Sequence, residues 1–271
     1  MDKYSVLMTV YGKDDKDSFS LALGSMIEQT YSPNEIVIVK DGPIPEELQK
    51  IIDDCLACNI PIIQVQLPQN KGLGLALNEG LKYCKNELIA RMDSDDISLP
   101  TRCEKQLAMF AADPKLDIVG CPVKEFIGTP ENVVGQRDVP LDNEAIHKYN
   151  HRRDPFNHPT VMYRKSKVMQ YGPYGNYRKN QDTDLWIKLL SNGCKGANCP
   201  EYLLMFRFDE GTYKKRKSWT NTKCLLDIRK KAWKSGYSTF WDYAFVAVAQ
   251  IGIYILPESF QKFVYTKVLR K

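Results

Sequence analysis

Several features are scarce or missing in these 271 residues, and each gap removes a class of function. Histidine occurs only three times, with no serine or cysteine nucleophile pattern beside it, so a hydrolase triad has no support. No apolar run reaches the roughly 18–20 residues that a spanning helix needs. The longest, Tyr243 to Leu256, lies between Asp242 and Pro257-Glu258. Cys55-Leu-Ala-Cys58 has no second CxxC to complete a zinc set, so it reads as the end of a half-buried helix. No secretory leader is legible before the first strand-like segment, and the eight cysteines read as free thiols in a reducing cytosol. There is no internal repeat and no low-complexity linker. Apolar residues make up 43% and charged residues 26%, which excludes a disordered or collagen-like chain.

Net charge is also small, at +5, but it is unevenly spread. From residue 207 onward there are 14 Lys and Arg against 5 Asp and Glu, whereas residues 1–206 carry 24 against 28. A basic quarter on a mildly acidic body suits an anionic partner or is a solvated face. Its clusters are Lys214-Lys-Arg-Lys217 and Arg229-Lys-Lys231, followed by Phe240-Trp241 and the apolar Tyr243–Leu256 segment. That mixture suits the surface of an anionic membrane; a helix packed on the domain or on a second subunit is the structural alternative. No RNA- or DNA-recognition motif accompanies the basic residues, so nucleic acid is not an expected partner.

The first half alternates short apolar runs with helical spacing. Tyr4–Val10, Glu35–Val39, Ile62–Gln66 and Glu87–Met92 read as buried strands. Helices are expected over Phe19–Thr30, after Pro45, over Gly74–Cys84 and after Pro100. Continuous apolar strands alternating with helices predict an α/β protein with a mostly parallel, Rossmann-like sheet covered on both faces. The second half is less regular, with a strand at Leu116–Gly120, an exposed polar loop at Asp154–Thr160 and a helix at Gln181–Leu190 closed by Asn192-Gly193. The expected division is a domain over residues 1–210 and a basic helical extension over 211–271.

Ligands of such sheets bind beyond the carboxyl ends of the strands. Polar residues fall at those ends: Tyr11, Asp41, and Asp93-Ser-Asp95-Asp96. Three carboxylates within four residues repel one another, and a divalent cation with oxygen ligands, Mg²⁺ or Mn²⁺, relieves them; an acidic turn before the next helix is the alternative. Asp41 can accept from a ribose or a base N–H, or can simply belong to an Asp-Gly-Pro turn. Lys71-Gly72-Leu-Gly74 precedes a helix and suits a phosphate, although it is neither a dinucleotide fingerprint nor a P-loop. Asp182 and Asp184 open the Gln181 helix, where the helix dipole favours carboxylates and keeps them ionised for proton abstraction. Asn157 and His158 are candidates for sugar hydroxyls, with a structural loop role as the alternative.

Taken in order, these pieces resemble the family-2 glycosyltransferases of GT-A fold, and within them bacterial enzymes of capsule, exopolysaccharide and O-antigen assembly. The matching segments are Ser5–Tyr11, Val39-Lys-Asp41-Gly42, Asn70–Gly80, Ala90–Asp96 with Pro100, His158–Arg164 and Gln181–Trp186. The resemblance implies a nucleotide-sugar donor, UDP by family habit, and a glycan or lipid-diphosphate-linked acceptor. It places Thr9, Val10, Tyr11, Asp41, Lys71 and Asp93 around the nucleotide, Asp93 and Asp95 at the metal, and Asp182 as catalytic base of an inverting transfer. Gln181 stands where the family usually has Glu, and Lys40 and Pro43 depart from the common Asp-Asp-Gly-Ser turn. No Gln-x-x-Arg-Trp follows Asp182, which argues against a processive synthase. The implied location is the cytoplasm, at the inner face of the membrane. Two other readings remain: an aspartate-nucleophile phosphatase or phosphotransferase built on Asp93 and Asp95, and a non-catalytic sugar-nucleotide or glycan binder.

Overall fold

The computed structural model describes residues 2–208 and 218–255. The expected alternation opens the chain: β1 (Tyr4–Val10), α1 (Lys16–Ile27), β2 (Glu35–Lys40), α2 (Glu46–Cys55), β3 (Ile62–Gln66), α3 (Leu73–Tyr83) and β4 (Leu88–Met92). There follow β5 (Ile97–Ser98), α4 (Arg102–Ala112), β6 (Ile118–Gly120), β7 (Val123–Phe126), β8 (Val133–Arg137) and α5 (Asn143–Asn150). A single 3₁₀ turn at His158–Thr160 leads to β9 (Met162–Arg164), α6 (Lys165–Tyr171), α7 (Gln181–Ser191), β10 (Gly196–Asn198) and β11 (Leu204–Arg207). The described chain ends with α8 (Trp219–Lys234) and α9 (Phe240–Ile255). The Lys214–Lys217 cluster, the proposed boundary at 210, and Leu256 with Pro257-Glu258 lie outside the described residues.

Seven strands form one sheet in the order β10-β6-β9-β4-β1-β2-β3. All neighbours are parallel except β9, which runs against both β4 and β6. Its strands are apolar on both faces because both faces are covered. Val6 and Met8 point into a core shared with Phe19, Leu23 and Met26 of α1 and Leu48 and Ile52 of α2. Leu7, Val37 and Val39 point into a second core with Leu77 and Leu81 of α3 and Trp186 and Leu189 of α7. Helix α3 lies so close to the sheet that a Cβ at Gly80 would come within 2.5 Å of Leu7 Cδ1 and Val39 Cγ2.

Two elements differ from the sequence expectation. Helix α1 starts three residues earlier than its apolar spacing suggests, because Asp15 caps it and accepts from Ser18 N at 2.9 Å. A second sheet, β5-β11-β7-β8, was not expected. Its strands have two to five residues, too few to show a period in sequence.

Arg102 ties α4 to the end of β4. It is fully buried, and its guanidinium donates to the carbonyls of Arg91 at 2.7 Å and Pro159 at 3.0 Å. Those carbonyls belong to the strand before Asp93 and the turn before β9. Replacing Arg102 with Met orphans both, which should cost about 2–4 kcal/mol of folding stability in chemical denaturation; a loss within 0.5 kcal/mol (about the scatter of surface substitutions) would show that the tie is dispensable.

Candidate active site

In-register pairing aligns the carboxyl ends of three strands. Val10 lies opposite Lys40, and Met8 opposite Met92, so the residues leaving β1, β2 and β4 emerge at one edge. Thr9 and Val10 are buried there, whereas Tyr11 is exposed. Asp41 is also buried, and both of its carboxylate oxygens are engaged: Lys71 N donates at 2.7 Å and Gly72 N at 3.0 Å. Two of the N–H groups that the loop would offer a phosphate are thus taken within the chain. Gly72, at φ +90°, belongs to a turn whose N–H groups face the Asp41 carboxylate, so they are already satisfied. The Lys71 side chain itself is exposed.

Asp93, Asp95 and Asp96 each bring a carboxylate oxygen to within 4.8 Å of the others. Asp93 accepts from Arg91, and Asp96 from Arg207 N at 2.8 Å. The other oxygen of Asp96, Oδ2, is buried with no partner. Asp14, from the loop after β1, joins the group, held by Tyr11 N at 3.1 Å. Desolvation by the surrounding chain, followed by the charges of Asp93 and Asp14, pushes the carboxyl of the exposed Asp95 up to about 6, and desolvation does the same to the half-buried Asp14. Burial and the charges of Asp95 and Asp93 push Asp96 higher still. An all-carboxylate donor set with one buried, unpaired oxygen fits a hard divalent cation such as Mg²⁺ or Mn²⁺.

Asp182 sits in the first turn of α7, after Asn180, whose backbone is left-handed at φ +58°. The loop before it is fastened to α3: Asn78 Nδ2 donates to Tyr174 O and Tyr174 N to Asn78 Oδ1, both at 2.9 Å. Gly74 lies against the same loop, where a Cβ would come within 3.3 Å of Tyr174 Cβ and Gln181 Cβ. Burial, and then the charge of Asp154, pushes the Asp182 carboxyl up to about 6, while its own helix turn and Arg91 pull it down. Arg91 is 1% exposed, with Nε and Nη1 unpartnered. Its charge also acts on Asp95 and Asp96, and Tyr174 feels both Asp182 and Asp93. The acidic cluster and Asp182 therefore lie around one pair of side chains.

Asn157 and His158 depart from expectation, because they are buried rather than exposed. Asn157 Nδ2 donates to the carbonyls of Cys121 at 3.0 Å and Arg137 at 3.4 Å. His158 Nε2 lies 2.9 Å from Tyr174 Oη, and burial and the charge of Arg91 hold its ring well below the usual imidazole range. Gln181 is half-buried beside Gly74. Asp14, Asp154 and Tyr174 are not singled out as site residues by the sequence, since only the fold brings them near Asp95 and Asp182.

With this geometry in place, likeness to known proteins is informative. Residues 5–172 match Glycosyl transferase family 2. The chain is 35% identical over 269 residues, 99% of its length and 97% of the relative's, to the Escherichia coli UDP-Gal:alpha-D-GlcNAc-diphosphoundecaprenol beta-1,3-galactosyltransferase. The chain belongs to glycosyltransferase family 2. It is also 36% identical over 83% of its length to the amylovoran biosynthesis glycosyltransferase AmsE of Erwinia amylovora, covering 84% of that protein. Among solved structures it resembles the Pyrobaculum calidifontis mannosyltransferase PcManGT in complex with GDP-Man and Mn²⁺, at TM-score 0.67 and 14% identity over 98% of this chain and 76% of that one. Staphylococcus aureus TarS 1–349 in complex with UDP matches at TM-score 0.60 and 16% identity, over 98% of this chain and 72% of that one. The chain spans 43% of the longer TarS chain. The fold is therefore that of the GT-A glycosyltransferases, and family membership sets aside the phosphatase and non-catalytic readings.

The raised carboxyl of Asp182 has a stability consequence. Folded Asp182 binds its proton more tightly than the unfolded chain does. The cost is absent below about pH 4, the unfolded value, and grows as pH rises through the folded value, which is about 6. Asp182→Asn should therefore stabilise the nucleotide-free protein at pH 8 by about 1–2 kcal/mol, and much less at pH 4.5. Equal effects at the two pH values in denaturant titrations would contradict this.

Proposed function

We propose that this family-2 glycosyltransferase transfers a sugar from a UDP-sugar to a hydroxyl of a lipid-diphosphate-linked glycan, with inversion, during assembly of a bacterial surface polysaccharide. The observation that supports the reading is a shared neighbourhood: Arg91 and Tyr174 lie within electrostatic reach of both the acidic cluster and Asp182. The E. coli relative, a UDP-Gal transferase acting on GlcNAc-diphosphoundecaprenol, and the UDP-bound TarS structure support the choice of donor and acceptor.

In this reading Thr9, Val10, Tyr11 and Lys71 line the nucleotide, and Asp41 lies against its base or ribose, already oriented by two backbone N–H groups. Asp93 and Asp95, with Asp96 beside them, would hold Mn²⁺ or Mg²⁺, which supplies Lewis-acid neutralisation of the diphosphate charge. Asp182 takes the proton of the acceptor hydroxyl. The acceptor oxygen bonds to the anomeric carbon from one face as the bond to the diphosphate breaks on the other, and the nucleoside diphosphate leaves. A carboxyl near 6 is ionised at neutral pH yet basic enough to accept that proton. Asn157 and His158, buried behind the cleft, support its wall through Cys121 and Tyr174, leaving Gln181 nearest the acceptor side.

A lipid-linked acceptor calls for a membrane-facing surface, and α9 offers one. Trp241, Phe245, Val248 and Ile255 are 54–75% exposed, at spacings that place them along one helix face. Lys223, Lys230 and Lys234 of α8 are exposed as well. Arg229 is not: it is 3% exposed, so it leaves the basic surface to which the sequence had assigned it. No helix among the described residues is long and apolar enough to cross a membrane. Peripheral attachment to the anionic cytoplasmic leaflet is therefore the mode we propose.

Asp182→Asn should keep UDP-sugar binding within about twofold while transfer falls by about 10²–10⁴-fold; near wild-type transfer would sink the base assignment. Asp95→Ala should abolish the Mn²⁺-dependent part of UDP affinity in calorimetry. The triple variant Trp241→Ser, Phe245→Ser, Val248→Ser should lose about tenfold or more of its co-flotation with phosphatidylglycerol vesicles; undiminished flotation would remove α9 from the membrane.

A further inference from the structure

The strongest unexplained cation in the described chain is Arg229, on α8, well outside the segment that matches the family. It is a buried guanidinium, and its partners lie at the end of α5 and in the loop after it. Nη1 donates to Asn150 O, and Nη2 pairs with Asp154 Oδ1 at 3.2 Å. The second oxygen of Asp154 accepts from Thr183 Oγ1 at 2.8 Å. Thr183 is the neighbour of Asp182 in the first turn of α7. A charged relay thus runs from the C-terminal helix, through one carboxylate, to the turn that carries the proposed base.

Other contacts fix the same geometry. Asn180 Nδ2, at the left-handed residue before α7, donates to Asn221 O and Oδ1, each at 3.2 Å. Tyr177 Oη donates to Asp227 Oδ2 at 3.0 Å and accepts from Lys231 Nζ at 2.7 Å. Tyr237, just after α8, accepts from Asn150 Nδ2 at 3.1 Å. Ile228 and Ala232 close a small apolar cluster with Ile187 of α7. Helix α8 therefore grips both the loop before the base and the helix that holds it.

We infer that Arg229 and Asp154 are positioning residues for the transfer: Arg229 pins Asp154, and the pinned carboxylate sets the place and the charge environment of Asp182. The inference rests on the reading of Asp182 as base. The groups facing Asp182 are Asp154 from the loop after α5, Arg91 from β4, Tyr174 from the loop before α7, and Arg229 from α8. Of these, Asp154 is the neighbour that opposes ionisation most, and Arg229 offsets it. Weakening Arg229 leaves Asp154 uncompensated, so Asp182 holds its proton to higher pH. Removing the charge of Asp154 has the opposite effect. A helix that merely packed against the domain would move neither.

The test compares the 271-residue chain with Arg229→Gln and with Asp154→Asn, each with and without Asp182→Asn, by denaturant titration from pH 4.5 to 8.5. The pH-dependent difference within each pair reads the titration of Asp182 without any substrate. Its midpoint should rise by about half a unit or more in Arg229→Gln and fall by a similar amount in Asp154→Asn. Asp154→Asn keeps an acceptor for Thr183, so it decides the matter even if Arg229→Gln folds poorly. Coincident midpoints in all the pairs would overturn the inference. Transfer assayed with UDP-galactose and a GlcNAc-diphosphate-lipid acceptor separates the two claims. Retained transfer in Asp182→Asn, with midpoints still displaced, would discard the base reading and leave the Arg229–Asp154 coupling standing.

Discussion

The architecture of this cleft is governed by the problem of gathering carboxylates. Asp14, Asp95, Asp96 and Asp182 gather near one edge of the sheet, and the desolvation of each raises its carboxyl. Arg91 answers that repulsion from beneath. It is a guanidinium embedded in β4, held charged against its own burial by Asp93 and Asp96. A buried cation is tolerable only where anions surround it, and clustered anions are tolerable only near a cation. Arg102 secures the arrangement from behind by fastening the Arg91 carbonyl to α4 and to the turn before β9.

The same reasoning extends to the C-terminal helices. Asp154 would add one more negative charge beside Asp182, and it is Arg229 that accompanies it. The pair has a cation of its own, drawn from a part of the chain that a composition count assigns to the outer surface. Helix α8 thus presents two different faces. Its lysines are exposed, whereas Arg229 and Thr222 are buried, and Gln250 of α9 donates to Thr222 at 3.1 Å.

Much of the fold was legible because the first four strands are apolar on both sides and the helices between them carry clean breaks at proline and glycine. The polar strand ends were legible for the same reason, since Asp41 and Asp93 interrupt otherwise continuous apolar runs. What stayed hidden depends on partners distant in sequence. Nothing in Lys71-Gly72 says that its N–H groups already belong to Asp41. Nothing in Asn157-His158 foretells Cys121 and Tyr174, and the polar look of that loop points the wrong way. The small sheet escaped because β8 is largely exposed and β5 has only two residues. Arg229 escaped because a charge read from sequence carries no information about burial.

One feature of the sheet bears on how such a cleft is assembled. Because β9 runs opposite to β4, with Met162 facing Ala90, the chain enters β9 at the very edge where β4 leaves it. Arg91 N donates to Val161 O at 2.9 Å across that meeting point. Residues that precede a strand thereby meet residues that follow another, with no helix needed to carry the chain around. A single reversed strand lets the late half of the polypeptide bring Asn157 and His158 directly behind the edge built by the early half. The two halves of the chain thereby share a common seam.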